Sequence, residues 1–313
     1  MDMKQLTTFV TLVRTLNYQK AADELQYAPS TLFKHIQLLE QELGTELLKK
    51  TGRQLQLTQE GQIFQGYARQ ILEKYNQAME SIACRDEQGS AITIGGCEMN
   101  TANSLIHLLG AFSKAHPNVR MSMMTSPNAG VPALTRNDMI DLGFYYSVDD
   151  GAFSGVNMIR LYQEPVYLMV SEKHELAGKR DLHYEDLQDM EFVHPHDNCC
   201  FALELLPRLE KRGVQLGSVA YLGGVHLVVD HVRSRNAMTM APLCALERFK
   251  NTYGLVNLHM AEEPVLAWEC LMYKHYENMK PIAKALIRHA RSYAQAMLKN
   301  DETGLLRAPQ INV

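Results

Sequence analysis

The sequence predicts an α/β fold led by an all-α front segment and a long single helix, and three observations carry that expectation. Apolar residues recur at helical spacing from Leu6 to Ile82, interrupted by one short alternating stretch around Gly52. From Ala91 onward, short apolar runs rich in β-branched and aromatic residues alternate with helical patterns. The 313 residues are 46% hydrophobic and 21% charged, a globular composition with length enough for two or three domains. No apolar run reaches the roughly 18 residues a bilayer span needs. The N-terminal MDMKQLTTFV is polar and periodic rather than a leader peptide, so a cytoplasmic location without membrane association is expected. The net charge of -4 argues against a protein that coats nucleic acid non-specifically.

Leu6, Phe9, Val10, Val13 and Leu16 place a helix over residues 3–16, which Asn17-Tyr18-Gln19 breaks. Ala21, Ala22 and Leu25 supply a short second helix, and the paired alanines permit close approach of a neighbour. Tyr27-Ala28 makes a turn, and Pro29 suits the first position of the next helix, where its missing N–H costs nothing. On that third helix Leu32, Ile36, Leu39 and Leu43 share one sector, while Ser30, Phe33, Lys34, Gln37 and Gln41 gather opposite. A dry face backed by hydroxyl, ammonium and amide groups suits a DNA major groove, although ordinary amphipathic helices carry the same pattern. Gly44 ends the helix and Leu47-Leu48 returns to the core. Lys49 to Leu57 then alternates about Gly52, a two-stranded wing with cations at its tip placed to touch phosphates. Charges over residues 1–60 balance, so such contacts rest on the placement of a few cations.

Thr58 can cap a further helix, with Glu60 in its first turn. Phe64, Ala68, Ile71, Tyr75, Ala78 and Ile82 step along it by four and three in turn, a heptad seam. The seam fits pairing between two copies or packing on the chain's own domain. Pairing is favoured because the polar run Arg85 to Ser90 follows it like an arm between domains.

The run Phe9, Asn17-Tyr18, Ala21-Ala22, Leu25, Ser30-Thr31-Leu32, Lys34-His35-Ile36, Leu39-Glu40, Leu43-Gly44, Leu47-Leu48, Thr51, Arg53, Leu57-Thr58, Gly61 resembles the winged helix-turn-helix of LysR-type transcriptional regulators. The resemblance implies DNA contacts from Pro29, Ser30, Thr31, Phe33, Lys34 and Gln37, with wing contacts from Lys50, Thr51 and Arg53. It implies a homodimer or dimer of dimers joined through the seam. This sequence departs from the family at Ala28, Pro29 and Phe33, where members often carry serine, glutamine and serine. Ala28 is a poor cap, weakening the helix start by about 1 kcal/mol. Phe33 can meet a thymine methyl or pack against a partner or the wing.

The remainder reads as strands at Ala91–Gly96, Val119–Met124, Met139–Tyr145, Pro165–Ser171, Glu191–His194, Val219–Leu222, Ala237–Met240 and Val265–Tyr273, with helices between, giving mainly parallel sheets. Ile94-Gly95-Gly96, the FSKAHP run from Phe112, the DLGF run from Asp141, the EPVYLMVSEKHELA run from Glu164 and the NAMTMAP run from Asn236 resemble the LysR-type effector domain. That resemblance implies two lobes like a periplasmic binding protein. The domains are then 1–58 (winged helix-turn-helix), 59–88 (linker helix) and 89–313 (effector-binding). Lobe I takes about 89–161 and 267–300, lobe II about 162–266, with crossings near Leu161 and near Pro264–Leu266.

Ligands of such folds sit beyond strand C-termini and against helix N-termini. That rule and the resemblance give the effector candidates Cys97, Glu98, Met99, Asn100 and Thr101; Thr125, Ser126 and Asn128; His196, Asp197, Asn198, Cys199 and Cys200; and Gly223, Gly224 and Val225. Glu98 opposes an anionic effector if it points inward. Arg233-Ser234-Arg235-Asn236-Ala237 stands where members usually have glycines, a change that tightens a turn or places cations at the hinge.

Six cysteines (Cys84, Cys97, Cys199, Cys200, Cys244, Cys270) form no CxxC, so reduced thiols are the default. His194-Pro195-His196-Asp197-Asn198-Cys199-Cys200 permits metal binding, redox sensing through Cys199, or a small pair lining the crevice, the last being favoured. Peroxide-sensing LysR-type members carry a thiol near Cys199, but their resolving cysteine is replaced here by Arg208-Leu209. No Gly-x-Ser-x-Gly elbow, phosphate loop or HExxH occurs. A cysteine-dependent enzyme is thus disfavoured, and no cofactor or metal is expected. The expected partners are double-stranded promoter DNA, a small-molecule effector, further copies of the chain and RNA polymerase.

Overall fold

The computed structural model describes residues 1–25, 27–51, 54–83, 90–100, 105–149, 151, 153–301 and 303–309. Arg53, Cys84, Thr101 and the expected arm, apart from Ser90, lie outside them. The chain divides into two compact units, residues 1–85 and residues 86–309.

The first unit is a three-helix core with a wing. Helix α1 (Met3–Thr15) starts in a capping box between Asp2 and Gln5. Helix α2 (Tyr18–Leu25) is capped by Asn17, whose Oδ1 accepts from the N–H groups of Gln19 and Lys20 at 2.9 and 3.0 Å. Helix α3 (Pro29–Leu43) begins after Ala28, which makes no side-chain cap, and ends at Gly44 with φ 69°, a left-handed turn that glycine adopts without strain. Leu6, Phe9, Leu12, Leu32, Leu39 and Leu47 are sealed together. Each such side chain contributes roughly 1.5–3 kcal/mol by burial. Leu43, assigned to the dry face, is 39% exposed, because it lies in the last turn of α3.

Strands β1 (Leu48–Thr51) and β2 (Gln54–Leu57) pair antiparallel, with Leu48 opposite Leu57 and Thr51 opposite Gln54. The wing is tied to α3 by Glu40, whose Oε1 accepts from the N–H groups of Leu47 and Leu48 at 2.8 and 3.1 Å. Helix α4 (Gln59–Ala83) follows, its first turn capped by Thr58 Oγ1 accepting from Gly61 N at 2.9 Å. A Cβ on Gly61 would stand 2.1 Å from Leu47 O, so only glycine fits this approach.

The heptad seam of α4 divides. Ala68 is fully buried, and Phe64 and Ile71 pack on the same core, with Phe64 against the Phe9 ring at 5.3 Å. The chain thus covers the first half of the seam itself. Among the described side chains of α4, the large apolar ones left exposed are Ile63 (60%), Tyr67 (61%) and Tyr75 (43%), of which Tyr75 belongs to the seam.

In the second unit, nine strands form one mixed sheet. Strands β3 (Ala91–Gly96), β4 (Arg120–Thr125) and β5 (Leu142–Ser147) run parallel at one end. At the other end β7 (Glu191–His194), β8 (Ser218–Tyr221) and β9 (Ala237–Pro242) run parallel. Between them lie β6 (Asn157–Ser171) and β11 (Val265–Tyr273), antiparallel to each other, with short β10 (Leu255–Asn257) on β6. The sheet is therefore mixed rather than mainly parallel: the two long strands that pass from one end to the other pair antiparallel with β5, with β9 and with each other. Strand β6 begins eight residues before the expected Pro165. The ladder slips between Glu269 and Cys270, opposite Leu161, where the first crossing was expected. Strand β5 starts at Leu142 rather than Met139, since Met139 is 55% exposed at the end of a turn.

Helices α6 (Ile106–Ala115), α7 (Val131–Arg136), α8 (Cys200–Lys211), α9 (Val225–Ser234) and α10 (Leu246–Tyr253) connect the strands, α11 (Pro281–Lys299) follows β11, and the short helix α5 (Glu98–Asn100) comes after β3. Arg233 lies in the last turn of α9 and Arg235 in the turn before β9, at the opposite end of β9 from Pro242, which pairs with Val166 on β6, so these cations do not stand at the crossing. Trp268, the sole tryptophan, pairs on β11 between Ser147 and Gln163, with the Arg160 guanidinium 5.3 Å over its ring. Among the described residues no helix is long and apolar enough to cross a membrane.

A buried acid ties these strands together. Glu164 on β6 is fully buried; Oε1 accepts from the Tyr146 hydroxyl of β5 at 3.2 Å and Oε2 from Cys244 N, just past β9, at 2.7 Å. Burial pushes its carboxyl up to about 7, and those hydrogen bonds only partly offset it. Stability supplied by the protonated acid is full below the ordinary value of 4.5 and is lost as pH rises through about 7. Glu164→Gln should flatten the fall in stability that the parent shows over this window, as measured by urea unfolding from about pH 5 to about pH 8. Parallel curves for the two proteins would refute the assignment.

Candidate functional site

Two surfaces, one in each unit, carry the candidate chemistry. On α3 the residues Pro29, Ser30, Phe33, Lys34 and Gln37 are exposed and Thr31 is half-buried, while Leu32, Ile36 and Leu39 face the core. The polar face is held to α1 by Thr8 Oγ1, 2.8 Å from His35 Nδ1, and Tyr27 sets its ring edge-on to that imidazole at 5.6 Å. Phe33 is 53% exposed, and its ring lies 5.4 Å from that of Tyr18 on α2. It therefore rests on the preceding helix, rather than on the wing, and still presents an apolar edge outward. Lys50 and Thr51 close β1 at the entrance to the wing turn, and Lys49 beside them is exposed.

The second surface is a crevice between the two ends of the sheet. One wall comes from the segments after β3 and β4 and from the end of β5: Cys97, Glu98, Met99, Asn128 and Tyr146. The other comes from the segment after β7 and the starts of α8 and α9: His194, Pro195, His196, Asn198, Cys199, Cys200, Phe201 and Val225. The enclosed space is about 50 Å³. Metabolite pockets run to roughly 300–1,000 Å³, so the crevice is closed down.

Asn128 is committed to the wall: its Nδ2 donates to Tyr146 O at 2.8 Å and its Oδ1 accepts from Tyr146 N at 2.9 Å. Glu98 reaches across, its Oε2 accepting from Val225 N at 2.9 Å. Cys199 Sγ lies 3.2 Å from His194 Nε2, and the buried His194 Nδ1 has no hydrogen-bond partner among the described residues. Burial alone would raise the Cys199 thiol, but its hydrogen bond with Cys200 and the His194 imidazole outweigh it and hold it well below the ordinary range. Cys200 is pushed well up by that same bond and by burial.

Not every expected residue joins the crevice. Thr125 ends β4 and Ser126 follows it, outside the lining, and the Ser126 hydroxyl donates to Pro127 O at 3.2 Å. Asn100 closes α5, and Asp197 is exposed between His196 and Asn198 without joining the wall. Gly223 and Gly224 shape the approach to α9 without lining the space. Tyr146, Pro195 and Phe201 were missed. The strand-end rule applied to β5 would have found Tyr146, whereas the Phe201 ring, 5.1 Å from that of Tyr146, has only a core-like sequence signal.

Among the described residues, the one group of metal-capable side chains within 4.8 Å of one another is His183, Glu185 and Glu262, away from the crevice, and Arg212 lies 3.7 Å from Glu185. The thiols and imidazoles of the crevice form no such group.

The thiol–imidazole pair generates a pH prediction. Cys199 should alkylate with iodoacetamide at a rate that holds well below the free-thiol midpoint of about 8.5. His194→Gln should move the profile upward, and a parent profile like that of a free thiol would remove the pairing.

Residues 3–62 match the family described as bacterial regulatory helix-turn-helix protein, lysR family, and residues 85–295 match the LysR substrate binding domain. The HTH-type transcriptional regulator AlsR of Bacillus subtilis is 23% identical over 97% of this chain and 100% of its own length. BenM of Acinetobacter baylyi, also an HTH-type transcriptional regulator, is 25% identical over 77% of this chain and 80% of its own. The crystal structure of full-length CbnR with its target DNA shares the fold at a TM-score of 0.54 and 21% identity, covering 94% of this chain and 100% of that one.

Proposed function

The chain belongs to the LysR family of DNA-binding transcription regulators, and from that premise we propose a ligand-responsive regulator that binds promoter inverted repeats as a homodimer or tetramer. The observation that carries the proposal is the face of α3, where Ser30, Lys34 and Gln37 stand exposed over a sealed leucine–isoleucine stripe. Hydroxyl, ammonium and amide groups on one helix face match the donor–acceptor pattern of base edges and phosphates in a major groove. Pro29, Thr31 and Phe33 complete that face, and Lys50, Thr51 and Arg53 of the wing would take phosphates. Two copies would join along α4 through Ile63, Tyr67 and Tyr75, with Ala78 and Ile82 extending the contact.

A small molecule would enter the crevice between lobe I (about 89–161 and 267–300) and lobe II (about 162–266). By binding one closure better than the other, it would shift the population of lobe arrangements and so the spacing of the recognition helices. Chemistry is not part of the proposal: the Cys199–His194 pair is not completed by a hydrogen-bonded third group on His194 Nδ1.

Lys34→Ala and Gln37→Ala should each weaken binding to DNA fragments that the parent selects from a genomic library, by roughly 1–3 kcal/mol for a base contact. Oligomer mass should stay unchanged. If both variants retain the parent's footprint and affinity, the assignment of α3 is wrong.

A second use of the crevice, thiol-based redox sensing, is favoured by one observation, the Cys199 sulfur at hydrogen-bond distance from His194. The adjacent Cys200 would be the nearest candidate to resolve an oxidised Cys199. Cys199→Ser should then abolish any change that hydrogen peroxide causes in DNA binding, and an unaltered response would exclude it.

A further inference from the structure

Helix α9 begins at Val225, and its N-cap is Gly224, which has no side chain to satisfy the first N–H groups. No acidic residue lies in its first turn. The cap comes from the other side of the crevice instead. Glu98, the first residue of α5, accepts the Val225 N–H at 2.9 Å, across 127 positions of sequence. His226 Nδ1 lies 4.0 Å from the other carboxylate oxygen. A helix N-terminus with free N–H groups and a partial positive charge is where an anion would be held. Here a carboxylate of the chain itself is seated there, and it bridges the two walls of a space of about 50 Å³.

Two electrostatic consequences follow for any incoming molecule. A carboxylate or phosphate would have to displace Glu98 from α9 and then stand beside the charge it displaced. A neutral or cationic molecule meets neither cost, and a cation gains a partner in the freed carboxylate.

We propose that Glu98 is a tethered ligand for the α9 N-terminus, closing the crevice in the absence of effector and selecting a neutral or cationic effector over an anionic one. This rests on the crevice being the effector site, but its test needs neither DNA nor effector. A failure here therefore leaves the operator experiment intact, and the reverse also holds.

The test uses the full-length chain, Glu98→Ala and Glu98→Gln, with sodium acetate as the anionic probe and sodium chloride at equal ionic strength as the reference. Amide hydrogen exchange is followed by mass spectrometry on peptides spanning Gly223 to Val228. In chloride, Glu98→Ala should exchange there about tenfold faster than the parent, because a charge-assisted hydrogen bond is lost. Acetate should slow that exchange in Glu98→Ala and leave the parent unchanged. Glu98→Gln, which keeps side-chain size and an accepting oxygen, should fall between them, separating loss of charge from loss of packing. Equal exchange in parent and Glu98→Ala would overturn the tethered ligand. Acetate protecting both proteins alike, or failing to protect Glu98→Ala, would overturn the selection against anions.

Discussion

The second unit depends on one pairing, that of β6 with β11. Strand β6 runs from the end of the sheet holding β3, β4 and β5 to the end holding β7, β8 and β9, and β11 runs back the other way. Chains that cross a sheet in opposite directions must pair antiparallel, so this constraint alone turns two parallel arrays into one mixed sheet. It also fixes where a crevice can be. The parallel strands at each end present their C-terminal segments to the space between, and the end of β5 with the loops after β3, β4 and β7 supplies most of its walls. The acid at Glu164 belongs to the same constraint, since it joins β5 to the segment past β9 while riding on the strand between them.

The front of the chain was the more legible half. Its helices obey the 3.6-residue period with few exceptions, and glycine, proline and the alternating wing mark their ends. What escaped there was polar and local. Asn17 caps α2 from within a stretch taken only as a breaker, and Glu40, an ordinary surface glutamate by pattern, anchors the wing through two backbone N–H groups. The α4 seam shows why periodicity cannot name a partner. Phe64, Ala68 and Ile71 have the spacing of an interhelical contact, but α1 is the helix that Phe64 meets. The large exposed side chains Ile63 and Tyr67 stand outside the heptad positions.

In the effector region strand positions were recovered but strand directions were not, because a run of apolar residues has the same appearance in a parallel or an antiparallel neighbour. Asn157 to Glu164 was missed as strand since its polar members, Arg160, Gln163 and Glu164, break the hydrophobic run. Crevice residues that follow a strand end or open a helix, such as Cys97 and Cys199, were found by that rule. Tyr146 and Phe201 were not, because a buried aromatic lining a cavity and one filling a core read alike. The inward reach of Glu98 could be posed from sequence only as a condition; its partner Val225 is set by the fold.

The environment of Trp268 has a practical consequence. The only indole in the chain lies on β11 beside the pairing between the two ends of the sheet, half-buried and covered by a guanidinium from the facing strand. Its fluorescence is consequently an unlabelled optical gauge of strain at the junction: a shift in emission or quenching on adding a candidate metabolite reports movement there without any dye, tag or second chromophore.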